Sequence, residues 1–463
     1  MAELRCAPCA RKLALRAAIA GVLVAPGMAP GAAQAATLYE ALATAYASNP
    51  TLEAARAELR AVDEGVPQVL SEWRPSVLGS VQGGHEWDNQ NKPISQSQET
   101  NPRSYGLTVR QPIFDGFGTV AGTSQAENLV KAGRANLTTA EQNVLFSAVS
   151  AYMAVVRDEA VLELNRNNEK VLRAQLEATQ VRYDVGELTR TDVAQAEARL
   201  QGAIASRIQA EGQLTASRAI YRQVIGEDAV DVKMPAEAVD LPSSQEESAA
   251  LSEHAPTVVA AQFQERAAKD DIDVQFSDML PSVAIEGSYQ RQEDLGTRDS
   301  EADVGSIIGQ VTIPLYQAGE PDSRVRQSKQ RYMQAKRLTD EAVRAAEQEA
   351  VDSWRTLQTA LAQTRSFEEQ VRATELALEG VRQEQEVGAR TILDVLDAQQ
   401  EVLNAQVSLV SSQTDSVVAQ FRVLAAQGAL TAANLGLDVE YYDPTQHYKA
   451  VRDKFIGTGP SVE

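Results

Sequence analysis

VGARTILDVLDAQQEVL (387–403) holds two carboxylates, Asp394 and Asp397, three residues apart at the start of an amphipathic run. An earlier stretch, VGELTRTDVAQAEARL (185–200), repeats its opening but has Gln195 where the later one has Asp397. Both begin with Val-Gly and continue through T-x-x-D, Thr189 to Asp192 and Thr391 to Asp394. Glycine ends a helix there because it enters the left-handed backbone of a C-terminus with no Cβ penalty. The threonine then caps a new helix, and the aspartate three residues on completes a capping box in which Asp replaces Glu. Gly186 and Gly388 therefore read as tight turns, each joining two antiparallel helices.

Upstream of each turn lies a proline-free run, roughly 120–184 and 322–386. At about 1.5 Å per residue each would span on the order of 100 Å as a helix. After the second turn, Leu403, Val407, Val410, Thr414, Val417, Phe421 and Leu424 alternate spacings of four and three. Ala350, Trp354, Leu357 and Leu361 do the same before it, and such spacing is a coiled-coil seam.

The repetition extends through most of the chain. NPTLEAARAELRAVDEGVPQVLSEWRPSV (49–77) pairs with APTVVAAQFQERAAKDDIDVQFSDMLPSV (255–283), and Pro75 and Pro281 stand 206 residues apart. Pro112 and Pro314, like Asp192 and Asp394, stand 202 apart. The four-residue difference falls in a polar loop of the first copy, HEWDNQNKPISQSQETNPR, where an indel costs a fold least. On either side of that loop run short stretches of period two. Tyr105, Leu107, Val109 and Ile113 alternate with small or polar residues, as do Val283, Ile285 and Tyr289, with Val311, Ile313 and Leu315 beyond a second loop. These read as two β-hairpins. The glycines of IFDGFG and YQAGEP mark the bend from each hairpin into its long helix.

The expected layout is a signal peptide (1–35), a first helix (36–73), a first hairpin (74–118) and a first long helix pair (119–225). An equatorial linker (226–257), a second helix (258–280), a second hairpin (281–318), a second long pair (319–434) and a polar tail (435–463) complete it, the linker and tail being irregular, polar and expected to form a collar around the middle of the tube.

The signal peptide runs from Arg5, Arg11, Lys12 and Arg16 through AAIAGVLVA to Ala33-Gln34-Ala35. It contains both cysteines, Cys6 and Cys9, so the exported chain has no disulfide or thiolate chemistry. The net charge of −21 becomes more negative once that basic segment is removed, which disfavours nucleic acid as a partner. Aromatic residues make up only 5% of the chain, too few for several large cores and in keeping with long exposed helices. No exported segment is long and apolar enough to span a bilayer as a helix. No catalytic motif and no cofactor site is legible, and His85, His254 and His447 lack companions at metal-ligand spacing.

Four apolar-faced strands are too few to close a barrel, for which about eight is the practical minimum. An open sheet in a bilayer would leave edge groups unpaired at a cost of several kcal/mol each, on the order of a hydrogen bond in hydrocarbon. Other copies of the chain must supply the missing strands. A soluble periplasmic coiled-coil adaptor or scaffold is the alternative reading of the same helices.

The signal peptide, LYEALATAYASNPTLEAARAELRA, QPIFDGF, VGELTRTDV and VGARTILDVLDA together resemble the TolC family of outer-membrane channels over essentially the whole exported chain. The resemblance implies a mainly α protein: a homotrimer with a shared 12-stranded outer-membrane β-barrel, four strands per subunit, continued by an α-helical coiled-coil barrel in the periplasm. It implies a passive exit duct for drugs or secreted proteins, surrounded by outer-membrane lipid. The partners implied are a periplasmic adaptor (membrane fusion) protein and an inner-membrane efflux pump or ABC transporter. Capping accounts for Asp192 and Asp394, but the counterpart of Asp397 is a glutamine, so capping does not require it. Positions 394 and 397 share a helix face, and the resemblance makes them two carboxylate rings constricting the periplasmic entrance. Arg390, Thr191 and Asp192 match positions that link neighbouring coils in the closed state. Gln385 stands where the family pattern often has tyrosine, so that closing contact is missing or replaced.

Overall fold

The computed structural model describes residues 37–90, 96–235, 240–295 and 298–459; the expected signal peptide lies outside them. Three short helices come first: α1 (Leu38–Ser48), α2 (Pro50–Asp63) and α3 (Gly65–Leu70). The single helix expected over 36–73 is thus broken. Asn49 bonds its side chain to the Thr51 N–H, and Pro50 takes the first helical position, where its missing N–H is harmless. Strands β1 (Ser76–Gly83), β2 (Glu86–Gln90), β3 (Gln96–Thr100) and β4 (Arg103–Asp115) follow. β2 and β3 pair with each other, so the segment read as a plain polar loop carries a hairpin of its own.

The long helices α4 (Gly118–Asp184) and α5 (Arg190–Ile225) complete the first copy. The second copy contains α6 (Gln245–Leu251), α7 (Pro256–Ser277), β5 (Ser282–Glu293), β6 (Glu301–Thr312), α8 (Glu320–Glu386) and α9 (Ile392–Ala426). A last short helix, α10 (Gln446–Val451), lies in the tail. α4 and α8 are each 67 residues long, about 100 Å.

One antiparallel sheet joins the copies in the order β1-β4-β5-β6. Its two faces differ in chemistry. Across the hairpins Val77 meets Val109, Gly79 meets Leu107, Gly287 meets Ile307 and Tyr289 meets Gly305. Large apolar residues on this face sit beside glycines, and Val81, Ile307 and Val311 are exposed. On the opposite face Ser80, Thr108, Ser288, Ser306 and Gln310 follow the same registers and are interspersed with Leu78, Val304 and Ile308, so that face is mixed. The bends into α4 and α8 use left-handed backbone at Gly116 and Phe117, and at Ala318 and Gly319. At Gly116 a side chain is impossible, because a Cβ would stand 2.6 Å from the Ser277 carbonyl oxygen.

The main core lies midway along the molecule. Leu42, Leu52 and Leu59 of the short helices pack there on Leu145, Val149 and Tyr152 of α4 and on Tyr221, Ile225 and Phe421 near the ends of α5 and α9. The linker joins this core through Val232, and the Tyr152 hydroxyl donates to the Lys233 carbonyl at 2.9 Å. The tail, expected to be irregular and polar, is docked. Leu437 and Val451 are buried, His447 lies 3.2 Å from Asp63, and Arg74 donates to the Lys454 carbonyl at 2.7 Å. These contacts bring together residues nearly 400 positions apart and, with the linker, put the tail around the middle of the molecule as expected.

Candidate functional site

The two turns lie at the far ends of the long helices. At each, the glycine takes positive φ, +82° at Gly186 and +78° at Gly388. The N–H of Gly388 donates to the Gln385 carbonyl at 3.0 Å and that of Ala389 to the Glu384 carbonyl at 2.8 Å. Gly186 and Glu187 do the same to Tyr183 and Arg182, both at 2.9 Å. These paired bonds satisfy carbonyls that the helix ends would leave open. The next helix starts on a full capping box in both copies, Thr189 with Asp192 and Thr391 with Asp394.

The cap also sets the charge of its acid. The Thr391 backbone N–H and hydroxyl both donate to Asp394, at 2.9 and 2.7 Å, and hold that carboxyl below its ordinary pKa. Asp192 is lowered in the same way by Thr189. Such bonds stabilise only the ionised form. Arg390 pairs with Glu384 at 2.9 Å inside its own turn, and this bond raises its pKa. Gln385 is half-buried at the end of α8, with its carbonyl bound to Gly388. Thr191 is exposed, and within the described residues its side chain makes no hydrogen bond. Within one chain, then, Arg390, Thr191 and Asp192 are not joined: two of them bond inside their own turns.

Asp397 has a partner that the sequence reading did not supply. Its Oδ1 accepts from Arg199 Nη2, an ion pair running from α9 to α5 and so from one copy to the other. Beneath it, Ile392 and Leu396 pack with Leu172, Leu200 and Ala203 of the first coil, with Leu176, Leu188 and Ile204 at the margin. The extra acid of the second copy thus meets a base of the first. A signal was present in the sequence: the position of Arg199 falls, 202 residues on, at Glu401, so both members of the pair break the duplication.

No group of three or more His, Cys, Asp or Glu side chains able to hold a metal occurs among the described residues. Trp73, Trp87 and Tyr105 are exposed on or beside the sheet.

A four-stranded sheet with one apolar face, set above paired 67-residue helices, defines a subunit of an outer-membrane channel. The comparisons with known proteins agree. The Outer membrane efflux protein family profile matches residues 41–227 and 248–429. The chain is 36% identical to the outer membrane efflux protein BepC of Brucella suis over 92% of each protein. It is 26% identical to the outer membrane protein TolC of Vibrio cholerae, over 82% of this chain and 88% of that protein. The crystal structure of the Campylobacter jejuni CmeC outer membrane channel superposes with a TM-score of 0.78 at 16% identity, over 90% of this chain and 89% of the other. This chain belongs to the outer membrane efflux protein family. It is an exit duct of the outer membrane with its helical portion in the periplasm, which sets the soluble adaptor aside.

Proposed function

We propose that the chain works as a homotrimer, three four-stranded sheets closing one barrel and six helical coils forming the tube beneath it. The supporting observation is the sheet's register. Inside the chain β4 meets β5 with Val109 opposite Gly287 and Arg110 opposite Glu286. Carried over by the duplication offsets, the same geometry sets β6 against a second copy's β1, with Val311 opposite Val81 of the partner subunit and Thr312 opposite Ser80 of the partner subunit. The first copy supports the extension: β4 runs on to Asp115 where β5 covers it, whereas uncovered β6 stops at Thr312 and leaves Ile313, Leu315 and Tyr316 exposed.

At the tip, three copies of Asp394 and Asp397 converge on the axis and form the constriction, two carboxylate rings selective for cations. Each Asp397 is partly offset by its Arg199, and each Asp394 by the nearby Arg390. Arg390, Thr191 and Asp192 join neighbouring coils when the duct is shut, with Gln385 in place of an aromatic contact. A periplasmic adaptor and an inner-membrane transporter open this end. The duct itself has no active site, and its cargo is the small toxic compounds those partners deliver, in line with the efflux relative at 36% identity. The test is single-channel recording in planar bilayers with cobalt hexammine on the periplasmic side. The trimer should conduct and be blocked, and Asp394→Asn with Asp397→Asn should weaken the block. Unchanged block would reject the ring assignment. Export of a protein rather than a dye in the native cell would reject the cargo.

A further inference from the structure

The tail does more than brace the middle of the molecule, because its last described residues climb to the base of the sheet. His447 lies 3.2 Å from Asp63 at the end of α2, and Tyr448 packs on the cluster of Val66, Ala126 and Val130. Further on, Arg74 Nη1 donates to the Lys454 carbonyl at 2.7 Å, and the same guanidinium lies over the Phe455 ring, 4.2 Å from its centroid. The tail therefore runs alongside α3 toward β1, which begins at Ser76. At that level the sheet gives way to helices, and Trp73, Phe117, Leu315 and Tyr316 are exposed there. Aromatic residues gather in this way where a membrane wall meets water.

Here the tail stops covering its own apolar residues. Val451 is fully buried, whereas Phe455 is 71% exposed and Ile456 91% exposed. Two adjacent large apolar side chains left open at the end of a docked segment are unfavourable in water, and hydrocarbon would cover them. The flanking charges fit the same surroundings. In a chain with 64 acidic and 43 basic residues, the stretch QHYKAVRDKFI (446–456) has Lys449, Arg452 and Lys454 against Asp453 alone. Lys454 Nζ donates to the Gly459 carbonyl at 3.0 Å and, among the described residues, has no carboxylate partner. Apolar side chains beside such cations match anionic headgroups lying over acyl chains.

We propose that the segment 452–459 is a membrane-surface anchor: Phe455 and Ile456 enter the acyl boundary of the periplasmic leaflet, while Arg74 and Lys454 meet the phosphates of anionic phospholipid. The anchor depends on the sheet crossing the membrane and not on the carboxylate rings at the tip. Through the tail's contacts with α2 and the main core, it fixes how deeply the duct sits in the bilayer.

The exported chain is cysteine-free, so single cysteines carrying the environment-sensitive dye NBD test this directly. Phe455→Cys, Ile456→Cys and, as a water-exposed reference, Glu440→Cys are labelled in vesicles of phosphatidylethanolamine and phosphatidylglycerol. Emission at 455 and 456 should be several-fold above that at 440, quenched by lipids with a nitroxide on the acyl chain and insensitive to aqueous iodide. Dim labels quenched by iodide would overturn the proposal. Bright labels that nitroxide lipids leave untouched would do the same, since a neighbouring subunit would then cover the segment. A second measurement needs no dye. Trypsin should spare the Lys454–Phe455 bond of the unsubstituted chain in vesicles and cut it in the Phe455→Ser, Ile456→Ser variant, as read from the mass of the chain. Equal cleavage of the two would also overturn the anchor.

Discussion

The sheet and the tip both end in surfaces meant for another copy of the chain, yet the two are built on opposite terms. Along β1 and β6 the unfilled groups are backbone N–H and C=O, which in hydrocarbon have no alternative partner and cost on the order of several kcal/mol each when open. At the tip the exposed groups include the Arg190, Glu384 and Arg390 side chains, which water solvates as well as a neighbour does. Exposed ion pairs there contribute about 0.2–1 kcal/mol. One junction is obligatory and the other negotiable. A duct needs that difference, since its wall must never part while its entrance must.

The largest expected effect breaks the obligatory end. Val311→Pro removes a ladder N–H and places a ring against the neighbouring strand, so trimers should vanish from outer-membrane extracts run on gels without heating. Persistent trimers would mean that β6 is not an edge shared between copies. Next, Ile307→Lys puts a charge on the exposed apolar face, and the folded trimer should lose roughly 2–4 kcal/mol per subunit in a urea titration from lipid vesicles if that residue lies near mid-bilayer. A lumenal position would show almost no change, so the result also decides which face meets lipid. At the tip, Arg199→Gln should loosen the contact between the two coils of one chain by about 1 kcal/mol or less, with at most a small change in opening events. A rise of a hundredfold would make this pair the principal latch.

The smallest effect concerns pH. Asp394 is held below its ordinary pKa by Thr391, so its ionised form is favoured in the folded chain. The contribution of that cap to stability is complete above the unfolded pKa of aspartate and is lost as pH falls through the lowered folded value. Cation block should accordingly fade as pH falls, at a point set by the cap, which favours ionisation of Asp394, against the like charges of the neighbouring copies, which oppose it. In Thr391→Ala the fading should begin at higher pH, and an identical profile would separate the cap from the charge of the ring.

Much of this architecture was legible because its determinants are local. Val-Gly followed by T-x-x-D specifies a helix stop and a helix start within eight residues, and both turns formed as read. Period-two runs marked the strands of the main sheet, and the absence of proline marked the long helices. Reading failed where a contact joined distant positions through unremarkable residues. The tail's composition suggested a collar about the middle of the tube but not its contacts, which Leu437 makes with the main core and His447 with α2. Asp394 and Asp192 were explained by capping from the start, and that explanation stands within the single chain.

By itself the amino-acid sequence determined the duplication, the helix boundaries at glycine and threonine, and the alternation that gives the sheet an apolar face. Each of these depends on backbone preferences and hydrophobic period over a few residues. Only the tertiary structure decided that β4 lies beside β5, that the tail braces the middle of the molecule, and that the unmatched aspartate of one copy answers the unmatched arginine of the other. Those outcomes depend on how two rigid coils are set against each other in space, which no local pattern along the chain encodes.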